Sequence, residues 1–198
     1  MFSPVAKYIY VGRDGRDVVW SLYNHHAAFT PEFYEMLNGA PGLVGPPLAP
    51  PGCEIVAYFR NWLENDGYPF WPMWENVRSW WAARDLPNVL LVHYANLKRN
   101  LPGQMRRIAR FLDIAIDHDR FPEIVGRCTF DYMKEHADEM MPHAKMAFVG
   151  GGAAFIHKGI NGRWRDRLTP DDVAAYETRA RHELGAECAH WLETGEMP

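Results

Sequence analysis

The chain has 198 residues, enough for one domain with a substantial core, and its 47% hydrophobic and 23% charged residues are ordinary globular usage. A formal net charge of −4 excludes the broad basic surface that proteins need to track a nucleic-acid backbone, so we expect no nucleic-acid partner. Three widely spaced cysteines favour neither a disulfide framework nor a zinc site, and no apolar stretch is long enough to span a membrane. We therefore expect a single domain over residues 1–198 in a soluble, cytoplasmic protein.

The amino-terminal residues form the first predicted unit. Residues 8–11 are apolar and β-prone without alternation, a pattern typical of a buried strand in a parallel sheet, and Gly12 ends the run. Asp14 and Gly15 predict a turn, and the apolar spacing from Asp17 onward predicts a helix. The sequence therefore predicts a strand, a tight loop and a helix in that order.

Two polar residues of this unit indicate a binding site. Arg13 directly follows the strand, and Ser21 lies eight residues later, early in the helix. Ligands of open α/β sheets bind outside the carboxyl ends of the strands, where a guanidinium and a helix start both favour an oxyanion such as phosphate. An ion pair between Arg13 and Asp14 or Asp17 explains the same residues equally well.

The next stretch combines a loop with short helices. Glycine and proline dominate residues 39–52, which predicts a surface loop that is either an irregular connector or a lid over a substrate site. Short helices are predicted over residues 55–62 and 74–81. The helical spacing of three apolar residues in the second of them predicts one buried face, made of Trp74, Val77 and Trp81.

The second half of the chain adds a strand and two clear helices. Residues 89–92 predict a second buried strand, and the apolar spacing over 105–112 predicts a helix. The last helix has a strong start signal, with Thr169 as N-cap and Pro170 at its first position, and Gly195 is a plausible end. Strands that alternate with helices predict an α/β domain with a mostly parallel sheet.

Four segments, in order, resemble one known family. Residues 7–21 resemble the 3′-phosphate-binding segment of sulfotransferases that use 3′-phosphoadenosine 5′-phosphosulfate as sulfuryl donor. The likeness continues through residues 89–94 and 128–134, and it is most specific in residues 155–165, which resemble the late phosphate-binding loop of that family. The resemblance implies a sulfotransferase of bacterial type with a P-loop-NTPase-like α/β fold.

The resemblance also implies the residues that bind the nucleotide. One group would hold the 3′-phosphate, namely Arg13, Ser21, His157, Lys158 and Gly159. Tyr94 would lie near the adenine, and Phe130 would stack on it. The chain departs from the family pattern twice: His157 stands where arginine is commoner, so that contact would depend on histidine protonation, and Cys128 replaces a threonine that would offer a hydroxyl to the adenine.

The implied activity is transfer of a sulfuryl group from 3′-phosphoadenosine 5′-phosphosulfate to a hydroxyl or amine of a small-molecule acceptor. Family members begin with a strand, a phosphosulfate-binding loop and a helix that this sequence lacks. The chain is therefore expected to be the carboxyl-terminal two-thirds of the domain, to be inactive by itself and to expose an apolar strand edge. The alternative is a non-catalytic remnant that binds adenosine 3′,5′-bisphosphate or a protein partner. The acceptor and any homo-oligomer stay open.

The sequence leaves the catalytic residues unknown, with two weak candidates for the general base. His25 and His26 follow Ser21 by one helical turn, but adjacent residues diverge on a helix, so at most one of them would face the acceptor. The remaining histidines show no metal-binding spacing, so we expect no metal. Residues 150–152 are three glycines without a following Lys-Ser/Thr, which predicts a hinge or loop and not a phosphate loop.

Overall fold

The computed structural model describes residues 3–43 and 45–198. In this part of the chain, helices surround a two-stranded parallel sheet made of β1 (Tyr8–Gly12) and β2 (Val89–His93). The register runs from Tyr8 opposite Val89 to Gly12 opposite His93, so both strands end at the same edge. The parallel α/β arrangement expected from the sequence is confirmed.

The helices follow in chain order with these bounds: α1 (Gly15–Ala27), α2 (Pro31–Asn38), α3 (Ile55–Glu64), α4 (Met73–Ala82), α5 (Tyr94–Arg99), α6 (Leu101–Phe111), α7 (Phe121–Arg127), α8 (Phe130–Glu135), α9 (Ala137–Met140), α10 (Ala144–Ala147), α11 (Gly151–Phe155) and α12 (Pro170–Thr194). Residues 39–43 and 45–52 contain neither helix nor strand, as their glycine and proline content predicts. Among the described residues, no helix combines the length and the apolarity needed to cross a bilayer.

Two sequence-based predictions about glycines are corrected. The first helix begins at Gly15 and not at Asp17, because the Asp14 carboxylate accepts the Arg16 backbone N–H and so caps the helix. The triple glycine is not a hinge: Gly151 and Gly152 form the buried first turn of α11. A Cβ on Gly152 would lie 2.5 Å from the carbonyl oxygen of Ala137, so close packing explains this glycine.

The core is aromatic and lies between the sheet and helices α1, α3, α4 and α12. The predicted apolar face of α4 is buried, with Trp74 2%, Val77 3% and Trp81 9% exposed. Trp62 of α3 and Trp191 of α12 are almost completely buried as well. This core fixes α12 against the strands, although the two are distant in sequence.

Helix α12 starts and ends as its sequence predicts. The Thr169 hydroxyl accepts the Asp172 N–H while the Asp172 carboxylate accepts the Thr169 N–H, which is a complete capping box. Gly195 closes the helix in the left-handed conformation, with φ 77°. Gly185 interrupts the helix at φ 76° and ψ 167°, a backbone region that only glycine adopts readily. The helix therefore consists of two segments, 170–184 and 186–194.

The second segment of α12 supports the end of β1. The Trp191 ring lies against Gly12, where an added Cβ would come within 2.3 Å of the ring. A side chain at position 12 would therefore push β1 and Trp191 apart. Gly12 is the residue that directly precedes Arg13, so this contact sets where Arg13 leaves the sheet.

One face of β1 is open to solvent. The side chains of Ile9 and Val11 are 37% and 51% exposed, whereas Tyr8 and Tyr10 pack against the core. An exposed apolar strand is a surface on which chains self-associate. The prediction that residues 8–11 form a buried strand is therefore wrong for this face, and the exposed apolar strand edge expected from the sequence stays a prediction.

The stability of the fold should fall in mild acid because of buried histidines. His93 is 2% exposed; its Nε2–H donates to the Leu192 carbonyl, and its Nδ1 accepts the Ala95 N–H. Both nitrogens are satisfied only in the neutral ring, and burial lowers the pKa of His93 below its ordinary value. Burial also lowers the pKa of His25 and His26.

The unfolded chain takes up protons at these histidines as the pH falls below about 6.5, while the folded chain does not. The free energy of unfolding should therefore be constant above that pH and decrease below it, by up to about 1.4 kcal/mol per pH unit for each histidine. Urea unfolding between pH 7.5 and 5.5 measures this slope. His93→Gln should flatten it and the exposed control His118→Gln should not; equal slopes in both variants would contradict the assignment.

Candidate nucleotide-binding site

A cavity of about 270 Å³ lies beyond the carboxyl end of β1, between α1 and the chain from Phe155 to Arg163. The structure brings together on its wall every residue that the resemblance assigns to the nucleotide: Arg13, Ser21, Tyr94, Phe130, His157, Lys158 and Gly159. These residues come from four separate stretches of sequence. Their convergence on one cavity is a property of the fold and not of any single motif.

Helix α1 supplies one wall because of its periodicity. Asp17, Ser21 and His25 are spaced four residues apart, so they lie on the same face of the helix, and all three line the cavity. Arg13 enters from the loop just before the helix. The positive end of the α1 dipole and the Arg13 guanidinium therefore act on the same end of the cavity.

Arg13 is held in place without an ion pair to any residue that the structure describes. Its Nε donates to Asn161 Oδ1 over 3.1 Å, and its guanidinium lies 4.3 Å from the centre of the Tyr94 ring. The two aspartates that could have neutralised it have other partners: Asp14 binds Arg16 over 2.8 Å, and Asp17 accepts the Gly162 N–H over 2.7 Å. The charge of Arg13 therefore stays available to a ligand.

The chain after Phe155 is fastened to the rest of the domain at several points. Asn161 and Gly162 bond to Arg13 and Asp17, as described, and the Lys134 ammonium donates to the carbonyls of Ile156 and His157. Gly159 has φ 60°, and a Cβ there would lie 2.3 Å from the Phe130 ring. Both its conformation and this contact require glycine at position 159.

The electrostatics of the cavity favour an anion. Arg13, Lys158 and Arg163 line it, and the one aspartate on its wall, Asp17, is already bonded to a backbone N–H. Burial lowers the pKa of His157, and the cations Arg163, Lys158 and Lys134 lower it further. Cations packed around a histidine in this way favour a ligand that brings negative charge.

Several polar groups of the cavity have no partner. The buried Nδ1 atom of His157 has no hydrogen bond to any described residue. Within residues 3–43 and 45–198, the Ser21 hydroxyl, the Lys158 ammonium and the Arg163 guanidinium also make no hydrogen bond and no ion pair. Of these groups only the His157 Nδ1 atom is buried, and a buried polar atom is normally satisfied. Ser21 and Arg163 are half-buried and Lys158 is exposed, so all three are free to contact a ligand with several acceptor atoms.

Sequence reasoning missed two residues of the site. Arg163 lines the cavity, and its only signal in the sequence is a basic residue between Gly162 and Trp164. Asp17 was considered as a partner for Arg13, but its bond is to Gly162. Both depend on how the late loop folds back onto α1, which no local pattern reveals.

The two candidate bases, His25 and His26, point in different directions, because adjacent residues diverge on a helix. His26 is 3% exposed, and its ring nitrogens lie within hydrogen-bond distance of the Tyr58 hydroxyl and the Ala49 carbonyl, so its role is structural. His25 lines the cavity and stacks on Phe155 with ring centres 4.8 Å apart. Its Nε2 must donate to the Phe155 carbonyl, 3.1 Å away, which leaves Nδ1 as a proton acceptor.

A second cavity of about 390 Å³ adjoins the first on the far side of Phe130. Tyr94, Cys128 and Phe130 line it together with apolar residues of α5 and α8. The exposed Cys128 thus lines the same cavity as Tyr94 and Phe130, the residues assigned to the adenine. In the residues that the structure describes, no three histidines, cysteines or carboxylates form a group that could hold a metal ion.

Solved structures with the same fold include a sulfotransferase and a retinol dehydratase. A mouse sulfotransferase complexed with PAP matches with a TM-score of 0.72 at 21% identity, over 94% of this chain and 61% of that one. Retinol dehydratase in complex with androsterone and inactive cofactor PAP matches with a TM-score of 0.69 at 24% identity, over 90% of this chain and 47% of that one. At these identities the likeness establishes the fold.

Proteins that are similar to this chain in sequence are also sulfotransferases. A glycolipid sulfotransferase of Mycobacterium tuberculosis is 27% identical over 210 residues, which is 96% of this chain and 64% of the relative. Sulfotransferase 1B1 of Mus musculus is 29% identical over 174 residues, which is 87% of this chain and 52% of the relative. The chain thus spans between half and two-thirds of these relatives. The sulfotransferase domain model matches residues 1–186, and the chain therefore belongs to the sulfotransferase family.

Proposed function

We propose that residues 1–198 act as one domain that binds the nucleotide of a sulfotransferase, which moves a sulfuryl group from 3′-phosphoadenosine 5′-phosphosulfate to a hydroxyl or amine of a small molecule. The observation that carries the proposal is the convergence of Arg13, Ser21, Lys158 and the orphaned Nδ1 of His157 on one cavity. This donor set fits a phosphate monoester, which has several acceptor oxygens and a double negative charge.

The nucleotide would lie with its 3′-phosphate against Arg13 and Ser21 and its adenine toward Phe130 and Tyr94. Phe130 is fixed by its contact with Gly159, so the adenine-stacking ring and the late phosphate-binding loop hold each other in place. Cys128 would face the base edge from the adjoining cavity. A rigid arrangement of this kind positions the donor before reaction, which is the main contribution of the protein to group transfer.

The donor supplies a sulfuryl group that is already activated by its bond to the 5′-phosphate. In the transfer, the bond between sulfur and the acceptor oxygen or nitrogen forms, the bond between sulfur and the phosphate oxygen breaks, and the acceptor proton passes to a base. Residues of this chain hold the leaving nucleotide by its 3′-phosphate. Among them, His25 has the tautomer of a proton acceptor, because the Phe155 carbonyl fixes the hydrogen on Nε2.

The acceptor is proposed to lie near His25, beside the aromatic rings of Phe148 and Phe155 that pack on this histidine. Phe29, Phe33 and Phe70 continue this cluster. His26, which contacts Phe29 and Phe70, also bonds to the carbonyl of Ala49 in the loop of residues 45–52. Aromatic walls favour an apolar acceptor. The names of two similar proteins, a glycolipid sulfotransferase and a retinol dehydratase, agree with an acceptor of that class.

Calorimetric titration of the purified chain with adenosine 3′,5′-bisphosphate and with 5′-AMP tests the proposal. The bisphosphate should bind at least about tenfold more tightly, because only it carries the 3′-phosphate. Equal affinity for the two nucleotides would contradict the assignment of the cavity. A radiolabelled sulfate-transfer assay with phenol, alcohol and amine acceptors then distinguishes an enzyme from a non-catalytic nucleotide binder, and turnover would make His25 the first residue to replace.

A further inference from the structure

We propose that Arg163 is an additional 3′-phosphate-binding residue that supplies the positive charge which His157, standing where arginine is commoner, does not. The inference rests on the proposed function and names a residue of the same site that the family resemblance does not include. It also changes the expected pH dependence of binding, since the charge would come from a guanidinium and not from an imidazole.

The backbone on both sides of Arg163 is fixed. Gly162 donates its N–H to the Asp17 carboxylate over 2.7 Å, and Trp164 is 7% exposed, with the Arg16 guanidinium 4.0 Å from its ring centre. Arg163 itself is half-buried and lies on the wall of the 270 Å³ cavity. The residue is thus held at the cavity and does not extend into solvent like a typical surface arginine.

The guanidinium of Arg163 lacks a partner of its own. It makes no hydrogen bond and no ion pair with the residues that the structure describes. Burial lowers its pKa, the Asp17 carboxylate opposes this, and the neighbouring Arg13 lowers it further. A half-buried cation beside another cation is unfavourable unless an anion binds between them. A phosphate that contacts Arg13 and Arg163 together would satisfy both.

His157 cannot provide this charge in the empty site. After burial, the strongest influence that lowers its pKa is Arg163, followed by Lys158, Lys134 and His25. The imidazole is therefore neutral at pH 7, whereas an arginine is charged at every physiological pH. We infer a division of roles, in which Arg163 gives a charge-assisted contact and the neutral His157 ring, with its unpartnered Nδ1, gives at most an uncharged hydrogen bond.

The chain offers a matched control for this inference. Arg165 lies two residues farther on, is exposed, and has its guanidinium 5.0 Å from the Trp164 ring centre. It does not line the 270 Å³ cavity, which Arg163 does. Removing either arginine changes the net charge of the protein equally, so a difference between the two variants reports the local contact and not the overall charge.

The experiment is calorimetric titration of adenosine 3′,5′-bisphosphate and 5′-AMP at pH 7.5 into wild type, Arg163→Ala, Arg163→Lys and Arg165→Ala. Arg163→Ala should weaken bisphosphate binding about tenfold to a hundredfold and leave 5′-AMP binding unchanged. The bisphosphate affinity of Arg163→Lys should lie between those of wild type and Arg163→Ala, because a lysine keeps the charge without the planar fork of the guanidinium. Arg165→Ala should bind the bisphosphate with the affinity of wild type. Thermal unfolding of each variant checks that the fold is retained.

A second pair of variants tests the relation to His157. His157→Arg in the Arg163→Ala background should restore at least part of the lost affinity, since an arginine is then present again at the phosphate. The affinity of wild type and of His157→Arg should change in the same way between pH 8 and 6, because Arg163 does not titrate in this range and the second ionisation of the phosphate, near pH 6, affects both proteins alike. A steeper gain of affinity in wild type at low pH would show that a protonated His157 supplies the charge.

Each failure has a distinct meaning. Unchanged bisphosphate affinity in Arg163→Ala, or no recovery with His157→Arg, would overturn the inference about Arg163. Wild type that binds the two nucleotides equally would instead overturn the proposed function.

Discussion

Replacing Arg13 with alanine should weaken the binding of adenosine 3′,5′-bisphosphate about tenfold to a hundredfold, which corresponds to about 1.5 to 3 kcal/mol for a charged hydrogen-bonding contact. The guanidinium has no counter-ion among the described residues, and Asn161 and Tyr94 hold it at the cavity. Little energy is therefore needed to orient it when the phosphate arrives. Titration calorimetry at pH 7.5 measures the loss.

The controls separate the site from general charge effects. Arg110→Ala removes an exposed arginine of α6 and should leave the affinity unchanged. Ser21→Ala should weaken bisphosphate binding less than Arg13→Ala does, because a hydroxyl contributes an uncharged hydrogen bond. An Arg13→Ala variant that binds the bisphosphate as tightly as wild type would show that the cavity does not hold the 3′-phosphate there.

Replacing Arg16 with alanine should lower the free energy of unfolding by about 3 to 5 kcal/mol. Arg16 is 1% exposed and lies between the rings of Trp164 and Tyr176, while its guanidinium bonds to Asp14 and Glu193. Burial opposes its charge, but the bonds to these carboxylates outweigh burial and raise its pKa above the ordinary value. Without the arginine, the buried Asp14 carboxylate would have lost its ion-pair partner.

Urea unfolding at pH 7 measures this effect, and a surface pair provides the comparison. Arg127 binds Glu123 one helical turn away, and both side chains are more than 60% exposed. Arg127→Ala should therefore cost less than about 1 kcal/mol, since exposed ion pairs contribute little. If the two substitutions had similar small effects, the buried cluster around Arg16 would not be a determinant of stability.

The sequence was informative where structure is determined locally. The strands over 8–11 and 89–92 were predicted because an uninterrupted apolar run is typical of a strand, although one face of β1 is exposed and not buried. The Thr169 cap marks its helix without any tertiary information. The short helices between Phe121 and Phe155 were not predicted, because four to seven residues are too few to show helical periodicity.

In the candidate site too, local sequence motifs were informative and contacts between distant segments were not. The seven residues proposed from the family resemblance all reach one cavity, although their roles still depend on the binding experiments. Arg163 and the Asp17 contact were missed because they arise when the late loop packs on α1, more than 140 residues away in sequence. His25 and His26 could be separated only by packing, since the sequence shows that they diverge but not which one faces the core.

The contact between Gly12 and Trp191 ties the position of Arg13, one residue after Gly12, to the packing of the end of α12. Trp191 and Leu192 are 2% and 1% exposed, so the segment 186–194 detaches only when this part of the core opens, and such opening would free the end of β1 that carries Arg13. A ligand that binds only the closed form stabilises it by RT ln(1 + [L]/Kd). The amide protons of 186–194, although far from the phosphate, would thus exchange with solvent more slowly as the cavity fills.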